Sequence, residues 1–222
     1  MNKLSKRLEV VSSYVKDNSK IIDIGCDHGI LSIYLAKKYP NIKIIASDVN
    51  KNALDNAINN IKINHLEDRI ETRLGSGLNV VEQDEIDTIV IAGMGANTIV
   101  GILKYSLDKL KYVNNIIIQS NTDLYFLRKN ITKIGYYIED ELLVCDAGII
   151  YTIIKFSKGN KKYNYKELYL GPILIKENSA LFKEKINKEI KTLEMILSRI
   201  KKGHLLYRLG LKKKLKILKK EK

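Results

Sequence analysis

Through the first 154 residues, short β-branched apolar runs alternate with longer segments whose apolar positions recur at three- and four-residue intervals. The runs Lys20–Ile24, Ile42–Ser47, Ile70–Leu74, Thr88–Ala92, Asn115–Ser120, Tyr136–Val144 and Ile149–Phe156 read as strands. Between the earlier ones, Leu31–Lys38, Lys51–Asn64 and Asn97–Leu110 carry a helical period. This βαβα order predicts an α/β fold, a parallel sheet with helices on both faces. Only Cys145-Asp146-Ala147-Gly148 separates the last two runs, which predicts an antiparallel hairpin closing the sheet edge. Pro40 stands where a helix is expected to stop.

The pattern changes after the polar link "SKGNKKYNYKE" (157–167). Beyond it Leu181, Phe182, Ile186, Ile190, Leu193, Ile196, Leu197 and Ile200 follow a helical spacing, and Leu205, Leu206, Leu209, Leu211, Leu215 and Leu218 form a second apolar series. Two antiparallel, coiled-coil-like helices account for both; a basic membrane-surface or calmodulin-target-like helix is the competing reading. The expected division is residues 1–157 and 158–222.

Charge sharpens this division. Residues 1–154 hold 18 Lys and Arg against 19 Asp and Glu, a balance of −1, whereas residues 155–222 hold 21 against 6, or +15. A bias toward lysine in the whole proteome would spread the excess evenly. Its confinement to the last third points to a polyanion, and nucleic acid is the common one. No apolar run reaches the ~18 residues of a membrane span, and the N-terminus lacks a signal peptide's apolar core. Cys26 and Cys145 are scattered thiols of the kind kept reduced in the cytoplasm, the expected location.

In an open parallel sheet, ligands sit beyond the carboxyl ends of the strands. After the first strand comes "DIGCDHG", with Asp23, Gly25, Cys26, Asp27, His28 and Gly29. After the second strand comes Asp48, followed by Val49 and 23 residues beyond Gly25, where an acid can accept both hydroxyls of a ribose. "RLGSGL" with Gly75, Ser76 and Gly77 follows the third strand, "IAGMGANTI" with Ala92, Gly93 and Met94 the fourth, and "IIQSNTDL" with Asn121 the fifth. One glycine loop is weak evidence; a loop, an acid and two further glycine loops at strand ends favour a nucleoside-containing cofactor. The spacing Gly25 to Gly29 lacks the GxGxxG of a dinucleotide site, and Asp27 would repel a pyrophosphate. S-adenosylmethionine, with a positive sulfonium and ammonium, fits an acidic loop.

"DIGCDHG" resembles the first motif of class I methyltransferases, with Asp27 in place of their usual glycine. Together with "RLGSGL", "IAGMGA", "QSN" and "LYLGPILIKENSALFKEKI", it resembles the bacterial tRNA adenine-N1 methyltransferases that modify position 22, from Arg7-Leu8 to about residue 200. The chain departs from that family at Gly29 and Ser32, where Ala and Pro are frequent, and at Ser76, where Asp or Asn is frequent. The resemblance implies a Rossmann-like sheet and methyl transfer from S-adenosylmethionine to N1 of an adenine in tRNA. It implies a cofactor site at the strand-end residues named above, with Asp27, Met94 and Asn121 nearest the chemistry.

Each of these residues has a plainer alternative. Asp27 can act electrostatically or cap the following helix. His28 positions the cofactor, contacts the RNA or makes a structural hydrogen bond. Met94 belongs either to a loop that receives the target base or to the core, and Asn121 either bonds an adenine edge or sits in a turn. Metal ligation is not expected, since His65 and His204 fall in unrelated segments. Lys201, Lys202, Arg208 and Lys212 to Lys214 are candidates for tRNA phosphate contacts, and Tyr163, Tyr165 and Tyr169 for base stacking or packing against the sheet. The expected oligomeric state is a monomer. The alternatives in function are a methyltransferase acting on another RNA, a protein or a small molecule, and a non-catalytic RNA-binding module.

Overall fold

The structure is a computed structural model describing residues 4–200 and 204–221. Lys201 and Lys202, two of the phosphate-contact candidates, lie outside the described residues. The chain separates into two compact units, Met1–Lys162 and Tyr163–Lys222.

The first unit is built on β1 (Lys20–Ile24), β2 (Lys43–Asp48), β3 (Ile70–Leu74), β4 (Thr88–Met94), β5 (Asn115–Ser120), β6 (Tyr136–Asp146) and β7 (Ile149–Lys158). They form one sheet in the order β3-β2-β1-β4-β5-β7-β6. The strands from β3 to β5 run parallel, and β7 lies antiparallel between β5 and β6. The chain moves outward from β1 to β3 and then returns to the far side of β1 as β4. The switch point therefore lies between β1 and β4, and open sheets of this kind place their ligands beyond the strand ends at such a point. Ile21, Ile22, Ile89, Val90, Ile91, Ile116, Ile117 and Ile118 have no exposure, as β-branched runs covered on both faces should. Helices α1 (Lys6–Ser13), α2 (Ile30–Lys38), α3 (Lys51–Ile63), α4 (Ala96–Lys104) and α5 (Leu124–Ile131) belong to this unit.

Two expectations need correction here. The helix expected over Asn97–Leu110 stops at Lys104, and a separate 3-10 turn occupies Lys109–Lys111. Ser106 is buried, its N–H donates to the Leu103 carbonyl, and its own carbonyl accepts from Lys109 and Leu110, so the chain turns there. The hairpin strands are longer than expected, with Asp146 paired to Ile149. Ala147 (φ 48°) and Gly148 (φ 79°) alone make the turn, and two left-handed residues match the twist of a two-residue hairpin.

The second unit comprises α6 (Tyr165–Leu170), α7 (Pro172–Glu177), α8 (Ala180–Arg199) and α9 (Leu205–Lys220). Asn164 and Glu167 form a reciprocal capping box at the start of α6, and Gly171 separates α6 from α7, which Pro172 opens. Ser179 caps α8, which buries Phe182, Ile186, Ile190 and Leu193. Arg208 pairs with the carbonyls of Leu197 and Ile200, and Lys219 pairs with Glu194 at 2.7 Å, so α8 and α9 run antiparallel. Leu211 and Leu218 are the buried positions of α9. Leu205, Leu206 and Leu209, expected in the same apolar seam, are exposed instead: the contact face of α9 is a narrow stripe at heptad spacing.

Candidate active site

The loop after β1 alternates left-handed residues: Gly25 (φ 75°), Asp27 (φ 50°) and Gly29 (φ 68°). The Gly25 and Cys26 amides both donate to the Ser47 carbonyl, at 2.8 and 3.0 Å, which pins this loop against the end of β2. The Asp48 carboxylate accepts from the Asp27 amide at 3.2 Å and from the Asn50 amide at 2.9 Å. Asp48 therefore organises two loops at once. Its carbonyl accepts from the Gly75 amide at 2.9 Å, bringing the β3 loop alongside. Val49 and Leu74, 69% and 54% exposed, offer apolar surface at the same strand ends.

Asp27 does not cap α2. Gly29 occupies the N-cap position, without a side-chain cap, and a Cβ there would lie 3.2 Å from the Ala57 Cβ. This loop–helix approach is one reason the position is glycine. The Asp27 carboxylate instead faces the His28 imidazole, Nε2 to Oδ1 3.6 Å, while the His28 carbonyl accepts from Asn60. The Ser32 hydroxyl donates to the buried Asp23 carboxylate at 2.7 Å. Burial, with a smaller contribution from Asp48, pushes Asp23 up to about 6 against the Ser32 hydrogen bond. The Cys26 thiol is pushed up by burial and by the Asp23, Asp48 and Asp27 carboxylates, which keeps it protonated and inert.

Among the described residues, no lysine or arginine forms an ion pair with Asp23, Asp27 or Asp48. Three clustered carboxylates without a fixed cation suit a positively charged ligand.

The fourth loop meets the first directly. A Cβ on Gly25 would lie 2.3 Å from the Met94 Cε, so the Met94 methyl occupies the space that only glycine leaves open. Gly93 (φ 87°) forms a bulge, because Ala92 pairs with Gln119 and Met94 with Ser120. A closed ring of hydrogen bonds fixes the bulge. The Gly93 amide donates to Gln119 Oε1 at 3.0 Å, Gln119 Nε2 donates to Asn121 Oδ1 at 2.9 Å, and Asn121 Nδ2 donates to the Gly93 carbonyl at 2.6 Å. Asn121 is thus an oriented amide rather than a bare turn residue. Arg7 of α1 also donates to Gln119 Oε1.

Sequence patterning alone assigns no role to Gln119 or Arg7. Gln119 carries a signal that could have marked it: it is a polar residue directly after the three isoleucines of β5, two positions before Asn121. Ser76 is exposed, its hydroxyl makes no hydrogen bond among the described residues, and it lines a cavity of about 290 Å³ with Gly77, Thr98 and Ile102. His28 also borders a separate groove of about 650 Å³ with Ile30, Tyr34 and Lys37. Among the described residues no His, Cys, Asp and Glu cluster could hold a metal ion, and no helix is long and apolar enough to cross a membrane.

Several basic and aromatic candidates in the second unit have structural partners. Arg208 donates to the Leu197 and Ile200 carbonyls at 3.0 and 2.8 Å, satisfying the end of α8. Tyr165 and Tyr169 stack on each other, 5.9 Å between centroids, with Lys213 above the first ring and Lys214 above the second. Tyr169 also donates to Glu189 at 2.5 Å. Lys212, Lys216 and Lys220 remain exposed on α9.

The strand order and the glycine loops at the switch point define a Rossmann-like fold of the class I methyltransferase kind. The family described as tRNA (adenine(22)-N(1))-methyltransferase matches residues 21–220, and the chain belongs to it. The tRNA (adenine(22)-N(1))-methyltransferase of Bacillus subtilis (strain 168) is 31% identical over 204 residues, covering 89% of this chain and 86% of that protein. A Streptococcus pneumoniae protein solved in complex with S-adenosyl-L-methionine superposes with a TM-score of 0.90 at 33% identity, covering 99% of each chain. Mycoplasma capricolum TrmK, solved with S-adenosylhomocysteine, superposes with a TM-score of 0.86 at 29% identity, covering 98% of this chain and 96% of that one.

Proposed function

We propose that this protein methylates N1 of adenine 22 in tRNA, using S-adenosylmethionine, and that the strand-end loops of the first unit are its active site. The observation that carries this reading is the convergence of Asp48, the carboxylate cluster and the Gly93 bulge at one switch point, within a chain of this family. In this reading Asp48 accepts the ribose hydroxyls, Val49 and Leu74 flank the flat base, and Gly75, Ser76 and Gly77 border it. Asp23 and Asp27 supply negative potential toward a cationic ligand, and Gly25, Cys26, His28 and Gly29 shape the loop around it. Ala92 and Gly93 form the wall facing that loop.

When bound, S-adenosylmethionine supplies an electrophilic methyl group. Neutral adenine already carries an in-plane lone pair on N1, so the chain's residues need not remove a proton to create the nucleophile. Their work is alignment, exclusion of water and stabilisation of growing positive charge. Gln119 and Asn121 keep the Gly93 carbonyl fixed at the bulge, and Met94 packs over the first loop. Asn121 Oδ1 keeps a second lone pair, an acceptor suited to the adenine N6 amino group. N1 lies on the Watson–Crick edge, so the tRNA must present the base unpaired.

The exposed lysines of α9 are the phosphate contacts in this reading, and the enzyme acts as a cytoplasmic monomer. The test is incubation with unmodified tRNA and labelled cofactor, followed by digestion to nucleosides. One methyl group per tRNA, recovered as 1-methyladenosine and absent from tRNA carrying guanine at position 22, is the expected result. Cofactor binding without 1-methyladenosine rejects the assignment.

A further inference from the structure

Packing of the sheet unit accounts for one face of α2 and leaves the other unexplained. Leu31, Leu35 and Ala36 are buried on the inner face. Ile30, Ile33, Tyr34 and Lys37 follow at the i, i+3, i+4 and i+7 spacing of a second stripe, and each is exposed or half-buried. The outer face of a surface helix ordinarily carries polar residues, yet three of these four are apolar or aromatic. They line the groove of about 650 Å³ that His28 borders, and α3 adds Asn60, Ile63 and Asn64 to its lining. Ile63 is 73% exposed.

Hydrogen bonds hold the polar part of this lining in place. Lys37 donates to Asn64 Oδ1, Asn64 Nδ2 donates to the Asn60 carbonyl at 2.7 Å, and Asn60 Nδ2 donates to the His28 carbonyl at 2.9 Å. The groove is thereby tied through α3 to the loop that carries Asp27. Among the described residues its lining holds no carboxylate, although three acids stand at the neighbouring strand ends. Lys38 lies over the Tyr34 ring, 5.8 Å from its centroid, and adds a second cation beside Lys37. An aromatic ring, an isoleucine surface, oriented amides and two lysines match the flat face, polar edge and phosphate of a nucleotide. A second copy of this chain carries a net charge of +14 and is a poor match for those lysines.

Methylation at N1 takes adenine 22 out of its stack, which strips each neighbouring base of a stacking partner. We propose that this groove binds the base of a nucleotide adjoining adenine 22, stacked on Tyr34, with its phosphate facing Lys37 and Lys38. This rests on the tRNA reading above. The lysines of α9 grip the polyanion, whereas this groove positions the RNA beside the cofactor loop.

The test measures kcat/KM for wild type and variants on unmodified tRNA, and on tRNAs with an abasic nucleotide immediately 5′ or 3′ of adenine 22. On intact tRNA, Tyr34→Ala should lose about tenfold, the scale of one base stack, and Tyr34→Phe, which keeps the ring, should stay within about twofold. Affinity for S-adenosylhomocysteine within about twofold of wild type shows that the cofactor site is folded. Ile63→Asp, at an exposed position, places a negative charge in the groove and should also lose about tenfold. One of the two abasic tRNAs should cost wild type about tenfold and cost Tyr34→Ala almost nothing further. Losses that add for both abasic tRNAs overturn the proposal and leave Tyr34 a support of α2. Unchanged kcat/KM in Tyr34→Ala or Ile63→Asp also overturns it. So does a dimer in sedimentation that Ile63→Asp abolishes, which assigns the groove to a second copy. If wild type forms no 1-methyladenosine on intact tRNA, the tRNA reading itself fails and takes this proposal with it.

Discussion

The two units use the same amino acids to opposite ends. In the first, charge is balanced to −1 up to residue 154, and its acids at the strand ends are fixed by backbone amides and one serine. In the second, lysines crowd one long helix, where Lys213 and Lys214 lie over tyrosine rings and Lys219 pairs with Glu194. Chemistry on a small cofactor needs a few groups held in place, because misplacement by about 1 Å is costly. Gripping a polyanion needs many mobile charges, each contributing little and none individually required. This difference orders the experiments: single substitutions should be severe in the sheet unit and mild in the helical unit.

The largest stability effect should come from Asp23. Its native pKa is raised from 3.8 to about 6, so the folded protein keeps a proton that the unfolded chain releases. The stabilisation from this group is complete below about 3.8 and is lost as pH rises through about 6. At about 1.4 kcal/mol per pKa unit, Asp23→Asn should gain about 2–3 kcal/mol on wild type at pH 8 and almost nothing at pH 3.5. The Asn Oδ1 still accepts from Ser32. Urea denaturation at both pH values measures the gap; a gap that does not change with pH removes the buried charge from the account.

Next comes Asp48→Ala, which should weaken cofactor binding about 100-fold by titration calorimetry. It removes the acceptor shared by Asp27 and Asn50 together with the expected ribose contact. tRNA affinity should be unchanged. A smaller loss, about tenfold in tRNA affinity, is expected when Lys212, Lys216 and Lys220 are all replaced by Glu, with cofactor affinity untouched. The slope of log affinity against log salt should become shallower by about 0.7–0.9 for each phosphate no longer neutralised. If the triple variant binds tRNA as wild type does, the division of labour between the units fails.

Most of the sheet was legible because its signal is local. β1, β3 and β5 start and end where their β-branched runs do, and Asp48 ends β2 one residue beyond the expected run. Partners far apart in sequence were not legible. Arg7 reaches Gln119 across 112 positions, and nothing in a short helix marks which cation will turn inward. The partners within the basic helix were hidden for the same reason: the end of α8 engages Arg208, and two tyrosine rings lie beneath Lys213 and Lys214. Leu205, Leu206 and Leu209 fit a helical period, but no such period states how wide the contact stripe of α9 will be.

One substitution made in both units tests the contrast with the smallest effects. Gly25 is left-handed, and an added Cβ would strike the Met94 methyl. Gly25→Ala should therefore destabilise by about 1–2 kcal/mol from the backbone alone, before any repacking of Met94. Adding Met94→Ala should relieve the clash and leave the backbone cost. Gly210 lies inside α9 with nothing within 4 Å of where a Cβ would stand, and its φ is not left-handed. Gly210→Ala should stabilise by about 0.5–1 kcal/mol, since a helix interior prefers alanine. Opposite signs for one change of residue would show that glycine serves geometry in the loop after β1 and merely interrupts the basic helix. Equal signs would mean that Gly210 has a packing role of its own, and that the second unit is as tightly specified as the first.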